Sequence, residues 1–179
     1  MIRDAAAADE PVTICDYDPF WPAPFDSEQI CVAKMLGDRI TRIEHFGSSA
    51  VPGVAGEPIV DLLVGVRMLA EGANCVHELE ALGYESFGEL FIVGRLYLRK
   101  RGPPNFNIAL AADGGEFWNV QITLRNFLRT HPAEAAAYAA IKRSTYDSGA
   151  RLLSTYSRAK EPYLAALQER ARSWLSRNS

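Results

Sequence analysis

Apolar residues gather into two blocks in the first third of the chain, Arg39 to Phe46 and Ile59 to Val66, and both read as strands. Between them the pattern breaks into Gly47-Ser48-Ser49 and then Pro52, Gly53, Gly56 and Pro58, which predicts a loop with fixed turns. In the second strand side chains alternate between two faces, so Ile59, Asp61 and Leu63 share one. Downstream, the spacing predicts a helix from Met68 to Leu82 closed by Gly83. Strands follow at Tyr84 to Glu89, Leu90 to Lys100 and Asn105 to Ala111, parted by Gly88, Gly102 and the Pro103-Pro104 pair. Strand, helix and meander together predict a mixed α/β sheet.

Upstream, a helix is expected from Phe25 to Leu36, with Ile30, Ala33 and Leu36 on its apolar side and Gly37 ending it. Val12 to Cys15 alternates like a short strand. In Asp16 to Pro22 two prolines block regular structure while Tyr17, Phe20 and Trp21 plug one end of the core. Residues 1–11 are polar, Ala-rich and aperiodic, and are expected to be disordered or loosely attached. Residues 12–179 read as a single domain.

From Glu116 the period becomes helical. One stripe holds Phe117, Val120, Gln121, Leu124 and Leu128. A second holds Trp118, Ile122, Arg125 and Arg129, so the two arginines project together as an anion clamp. Pro132 opens the next helix, which Gly149 ends, and Tyr138 lies one turn from Lys142. Tyr156 and Lys160 repeat that spacing. Pro162 kinks or begins the last helix, docked through Leu164, Leu167, Ala171 and Trp174 or Leu175.

Charge narrows the partners. A net charge of −3 offers nothing global to attract nucleic acid or an anionic membrane, so a bound phosphate has to be held by local cations. No stretch reaches the roughly 18 apolar residues of a membrane span, which predicts a cytoplasmic protein. Cys15, Cys31 and Cys75 show no zinc-ligand or C-x-x-C spacing and read as reduced, mostly buried thiols; His77 and His131 read as structural.

Two features carry candidate chemistry. Small residues after a strand let backbone N–H groups approach an anion, and hydroxyls add donors without bulk, which makes Gly47-Ser48-Ser49 a phosphate loop. Asp61 lies in an otherwise aliphatic strand, where a carboxylate needs a metal, a cation or several donors, making it the leading catalytic candidate.

Tyr17 to Pro22, Arg42 to Gly53, Pro58 to Asp61, Leu124 to Pro132 and the two Tyr/Lys pairs resemble the GrpB family of small bacterial proteins, in the nucleotidyltransferase superfamily of DNA polymerase β type. The string Glu44-His45-Phe46-Gly47-Ser48-Ser49-Ala50-Val51-Pro52-Gly53 is the most specific part, and the likeness runs from Val12 to about Ala171. The resemblance implies an α/β (α+β) fold: a mixed sheet of nucleotidyltransferase type flanked by helices, with a helical C-terminal region. In active members of the superfamily a Gly-Ser element holds nucleotide phosphates and strand carboxylates hold divalent metal. That places Gly47, Ser48 and Ser49 on the phosphates with Arg125, Arg129, Lys142, Lys160 and Tyr156. Asp61 becomes catalytic residue and ligand to magnesium or manganese, with Glu57 and Asn107 as further ligands and Glu44 or His45 as acid or base.

The chain departs from the pattern at two positions. Leu63 stands where a second strand acid is expected, and Ala109 replaces the histidine of the family's Asn-Leu-His-Val string, leaving Asn107. Two-metal transfer needs more than one carboxylate. The expected function is binding of a nucleoside triphosphate, ATP foremost, with magnesium, and nucleotidyl transfer to, or activation of, a small-molecule acceptor. The alternatives are a non-catalytic nucleotide or phosphometabolite-binding module, and an ATP-dependent amide-forming ligase. Serine catalysis is disfavoured, because no G-x-S-x-G elbow or orienting triad accompanies Ser48 and Ser49.

Overall fold

The aliphatic run Ile59–Val66 forms β2, the strand on which the sheet is assembled. The computed structural model describes residues 2–178. Arg42–Phe46 (β1) pairs antiparallel with β2 on one side, and Asn105–Ala112 (β5) runs parallel to it on the other. Arg95–Lys100 (β4) and Glu85–Ser86 (β3) continue antiparallel, giving the order β1-β2-β5-β4-β3. A parallel neighbour needs a long crossover, and the β2-to-β5 connection holds the α-helices at Leu69–Gly72 and Val76–Ala81 and the strands β3 and β4.

Alternation on β2 splits the core in two. Val60, Leu62, Val64 and Val66 face one side with Ile108, Leu110 and Leu98, under the helix Pro22–Leu36 (α1) and the short helices Leu69–Gly72 (α2) and Val76–Ala81 (α3). On the other side Leu63, Ala109 and Ala111 pack on Trp118 of Glu116–Thr130 (α4). Pro132–Asp147 (α5) and Leu153–Asn178 (α6) complete a helical C-terminal region. Its apolar cluster takes in Leu124, Phe127, Leu128, Tyr138 and Leu167 and reaches Val51 and Val54 of the β1–β2 loop. The mixed, helix-flanked sheet predicted from sequence is the architecture found.

Several expectations differ in detail. Pro22 opens α1 instead of blocking it, because first-turn N–H groups have no intrahelical partner to lose. The buried face of α1 is Phe25, Glu28, Val32 and Leu36, while Ile30 is 66% exposed: Glu28 is drawn inward by the Tyr84 hydroxyl (2.8 Å) and the Lys100 ammonium. Trp21 is buried with Tyr17 edge-on at 5.3 Å, but Phe20 is 77% exposed. The helix expected at 68–82 is broken by a 3-10 turn at Ala73–Cys75, and β1 begins three residues late, after a 3-10 turn at Gly37–Arg39. Residues 87–94 form a loop, with positive φ at Leu90 and Phe91, where longer strands are predicted. Pro162 lies inside a continuous α6, and Cys31 is exposed.

Residues 3–10, expected to be disordered or loosely attached, are docked on the rest of the chain. The Arg3 N–H donates to the Ser86 carbonyl (2.7 Å), Ala8 is buried, and Asp9 accepts from the Ser154 N–H and hydroxyl at 2.8 and 2.9 Å. Glu10 pairs with Arg99 at 3.4 Å and with Arg101. These are polar contacts to residues far along the chain, which leave no periodic trace in the segment itself.

Candidate functional site

β1 ends at Phe46 and the backbone turns through Gly47 at φ +69°, before a 3-10 turn at Ser48–Ala50. A Cβ on Gly47 would lie 2.4 Å from Asp61 Oδ2, so position 47 needs glycine for conformation and for room. Asp61 faces it from β2, paired in register with Phe46 on one side and Asn107 on the other. Its Oδ1 accepts from Asn107 Nδ2 at 2.8 Å. Burial pushes its carboxyl up to about 6, although the Asn107 bond pulls the other way.

Asn107 is itself fixed. Its oxygen accepts from the Tyr97 hydroxyl (2.9 Å) and from Arg101 (3.1 Å), whose guanidinium is held by Glu10. With both donors on that oxygen, the amide can only turn its NH2 to Asp61. Asn107 therefore orients the carboxylate.

Two lysines arrive from the helical region. Lys142 of α5 is 3% exposed and donates to Ser48 Oγ; burial, then the neighbouring Lys160, pushes it down to about 7. Lys160 of α6 sits 3.9 Å over the Tyr156 ring, and burial lowers it to about 8. Tyr156 is fully buried and its hydroxyl donates to the Lys142 carbonyl (3.4 Å), so it positions both lysines. Glu57 is half-buried beside them, its carboxyl raised by burial. Among the described residues no carboxylate oxygen lies within 4.0 Å of either ammonium. Gly56 makes room here as well: a Cβ there would lie 2.9 Å from the Ser48 Cβ and 3.4 Å from Lys142 Nζ.

The remaining candidates divide differently. Ser49 is buried, accepts from the Asp61 N–H (3.3 Å) and meets His45 Nε2 at 3.0 Å. Burial, with Arg129 and Arg125 nearby, lowers His45 to about 4, so it is neutral at physiological pH, stacked on Phe25 at 4.5 Å. Arg125 donates to Glu44 (2.7 Å) and to the His45 carbonyl (2.8 Å), and Arg129 to the Ala50 carbonyl (2.8 Å). The expected arginine clamp thus braces the loop, and Glu44 is spent on Arg125. Leu63, 0% exposed, and Ala109 are core against Trp118.

The loop separates two cavities. A small one, about 100 Å³, is lined by Gly47, Ser48, Gln121, Arg125, Tyr138 and Gln168. A larger open cleft, about 800 Å³, lies against Tyr17, Phe25, His45, Ser49 and Arg129. Neither lining includes Asp61 or the lysines; the smaller cavity is the one that reaches Gly47, which abuts Asp61, and Ser48, whose hydroxyl meets Lys142.

The donor set does not fit a resident magnesium or manganese ion. Magnesium takes six oxygens in near-octahedral array, and here the strand offers one carboxylate, the Asn107 oxygen is taken by two donors, and position 63 is core. No group of three or more His, Cys, Asp or Glu side chains among the described residues is placed to hold a metal.

Sequence reasoning passed over Gly56, Tyr97, Arg101 and Glu10. The alternation Arg95-Leu96-Tyr97-Leu98-Arg99 is a readable signal, since it puts polar side chains on the Asn107 face; Glu10 leaves none.

A profile of the family described as GrpB protein matches residues 11–170. The chain belongs to the GrpB family. UPF0157 protein YqkA of Bacillus subtilis (strain 168) is 29% identical over 164 residues, 91% of this chain and 48% of YqkA, so the chain spans about half the length of that relative. The crystal structure of GrpB from Enterococcus faecalis aligns with a TM-score of 0.80 at 27% identity, covering 90% of this chain and 99% of that one. A much weaker likeness, TM-score 0.43 at 19% identity over 78% of this chain and 44% of the other, is to terminal uridylyl transferase 4 from Trypanosoma brucei with bound UTP. No described helix of this GrpB-family chain is long and apolar enough to cross a membrane.

Proposed function

We propose that this GrpB-family chain binds the phosphate group of a small molecule, a nucleoside triphosphate or a phosphorylated metabolite, at the Gly47-Ser48 loop. One observation carries the reading: the loop, cleared by Gly47, puts the Ser48 hydroxyl on the buried Lys142 ammonium beside an oriented Asp61. Because Ser48 Oγ accepts from Lys142, its own proton is free to be donated to a phosphate oxygen, and the ammonium keeps further N–H donors. Thermal melts with nucleoside triphosphates, pyrophosphate and inorganic phosphate test it. A ligand of the native state raises the melting temperature by mass action, and Ser48→Ala should weaken that rise. Flat melts with every phosphate compound would overturn the reading.

A second reading, transfer to a small acceptor, is favoured by Asp61. Titrating at about 6, it is ionised at neutral pH yet basic enough to take a proton from an acceptor hydroxyl. Pyrophosphate release from a nucleoside triphosphate in the presence of candidate acceptors, abolished by Asp61→Asn, is the expected result. Release that survives the substitution would remove Asp61 from that role.

A further inference from the structure

We propose that this site holds its phosphate group without a divalent cation, the Lys142 and Lys160 ammoniums supplying the positive charge. The inference rests on the phosphate reading above and adds how the anion is neutralised.

The surroundings of the two lysines carry the argument. An internal ion cluster gains from short contacts between opposite charges, whereas here the carboxylates and ammoniums sense one another but stay apart by more than 4.0 Å. Among the described residues Lys142 is committed to a serine hydroxyl and the Tyr138 ring at 5.5 Å, and Lys160 to the Tyr156 ring. A ring offers a cation partial compensation and leaves its N–H donors unspent. Two ammoniums from neighbouring helices therefore lack an anionic partner, beside a loop shaped for a phosphate oxygen. Leu63, the locked Asn107 and the Arg125 guanidinium on Glu44 meanwhile close positions a metal would need, which leaves the Asp61 and Glu57 carboxylates against the roughly six oxygens that magnesium takes.

The groups that face the lysines also make binding proton-linked. Tyr138 on α5, Tyr156 on α6, Asp61 on β2, Glu57 in the loop and Cys15 in the N-terminal segment surround them, with Arg95, Tyr97 and the Glu10-paired Arg101 beyond Asp61. Burial holds Lys142 down at about 7 and Lys160 at about 8. A bound anion favours both charged forms, so binding takes up protons and weakens as pH rises from about 7 to 9.

The test is calorimetric titration of the full chain with pyrophosphate and with ATP, once in chelator and once in excess magnesium. Each is repeated in two buffers of different ionisation enthalpy and with Lys142→Met and Lys160→Met. The expected result is affinity in chelator within about threefold of that in magnesium, net proton uptake, and a loss of about tenfold or more in each variant. Lys160 is less deeply buried than Lys142, so its variant keeps the test alive should Lys142→Met fail to fold. Binding that appears only with magnesium, or that both variants retain, overturns the inference and leaves the phosphate reading standing. No binding in either condition overturns the reading itself, and this inference with it.

Discussion

Four cations look alike in the sequence, Arg125 and Arg129 at one-turn spacing in α4, and Lys142 and Lys160 each one turn from a tyrosine in α5 and α6. The structure separates them into two kinds. The arginines of α4 are tied to Glu44 and to the carbonyls of His45 and Ala50, so they brace the strand end and the loop. Among the described residues the lysines of α5 and α6 meet a hydroxyl and two tyrosine rings, and no carboxylate. A guanidinium is a rigid fork suited to several fixed acceptors at once, while an ammonium is a compact charge whose ionisation shifts readily on burial. What decides whether a buried cation can serve a ligand is how much of it the protein has already used.

The largest effect is expected at the border of the site, where Leu63 lies two residues from Asp61 on the same face but in the Trp118 cluster. Leu63→Asp should cost roughly 3–5 kcal/mol, since it removes a packed side chain and buries a carboxylate. Chemical denaturation gives the cost and calorimetry the metal affinity; a gain in magnesium binding without loss of stability would put position 63 in the site. Next comes Arg125→Met, which strands Glu44 and a backbone carbonyl and should cost roughly 1.5–3 kcal/mol. Phosphate affinity in that variant should fall by less than it does in Lys142→Met, because the Arg125 guanidinium is already held by Glu44 and the His45 carbonyl. Lys142→Met should do the reverse, with stability at neutral pH held or raised and affinity lost. Matching stability losses in the two variants would erase the distinction between brace and ligand group.

A smaller effect separates the lysines by pH. Lys142 titrates at about 7 folded against 10.5 when exposed, and Lys160 at about 8, so across pH 7–10 the unfolded chain binds more protons and stability climbs with pH. Asp61, at about 6 folded against 3.8, favours the folded state below about 4 and loses that contribution as pH rises to 6. His45, at about 4 against 6.5, has the opposite slope in that window, so the acid limb largely cancels. Melting temperature should rise between pH 7 and 9.5 in the free protein, and Lys142→Met should flatten the rise. A wild-type melt that falls over that range would contradict the placement of the lysines. Smallest is Arg129→Lys, expected to stay within about 1 kcal/mol because one carbonyl bond is at stake.

Much of the fold was legible because β2 and α4 to α6 carry strong periodicity. Gly47-Ser48 and Asp61 were legible as chemistry because each contradicts its neighbours, small residues closing an apolar strand and a carboxylate inside an aliphatic run. The commitments of Arg125 and Arg129 were not legible, since their acceptors lie about eighty residues away on β1 and its loop. Nor was the locking of Asn107, which needs Tyr97 from a neighbouring strand and an Arg101 that Glu10 holds from the other end of the chain. Local pattern reports which residues share a face. It does not report which polar groups are already used.

The most direct test of the central claim is an amide chemical-shift map of the isotopically labelled chain during titration with pyrophosphate in chelator. The account predicts that the shifts centre on Gly47, Ser48, Gly56, Asp61, Lys142 and Lys160, around the small cavity and the lysine pair. Shifts centred instead on Tyr17, Phe25, Gly53 and Arg129 would place the ligand in the large cleft on the other side of the loop and contradict it.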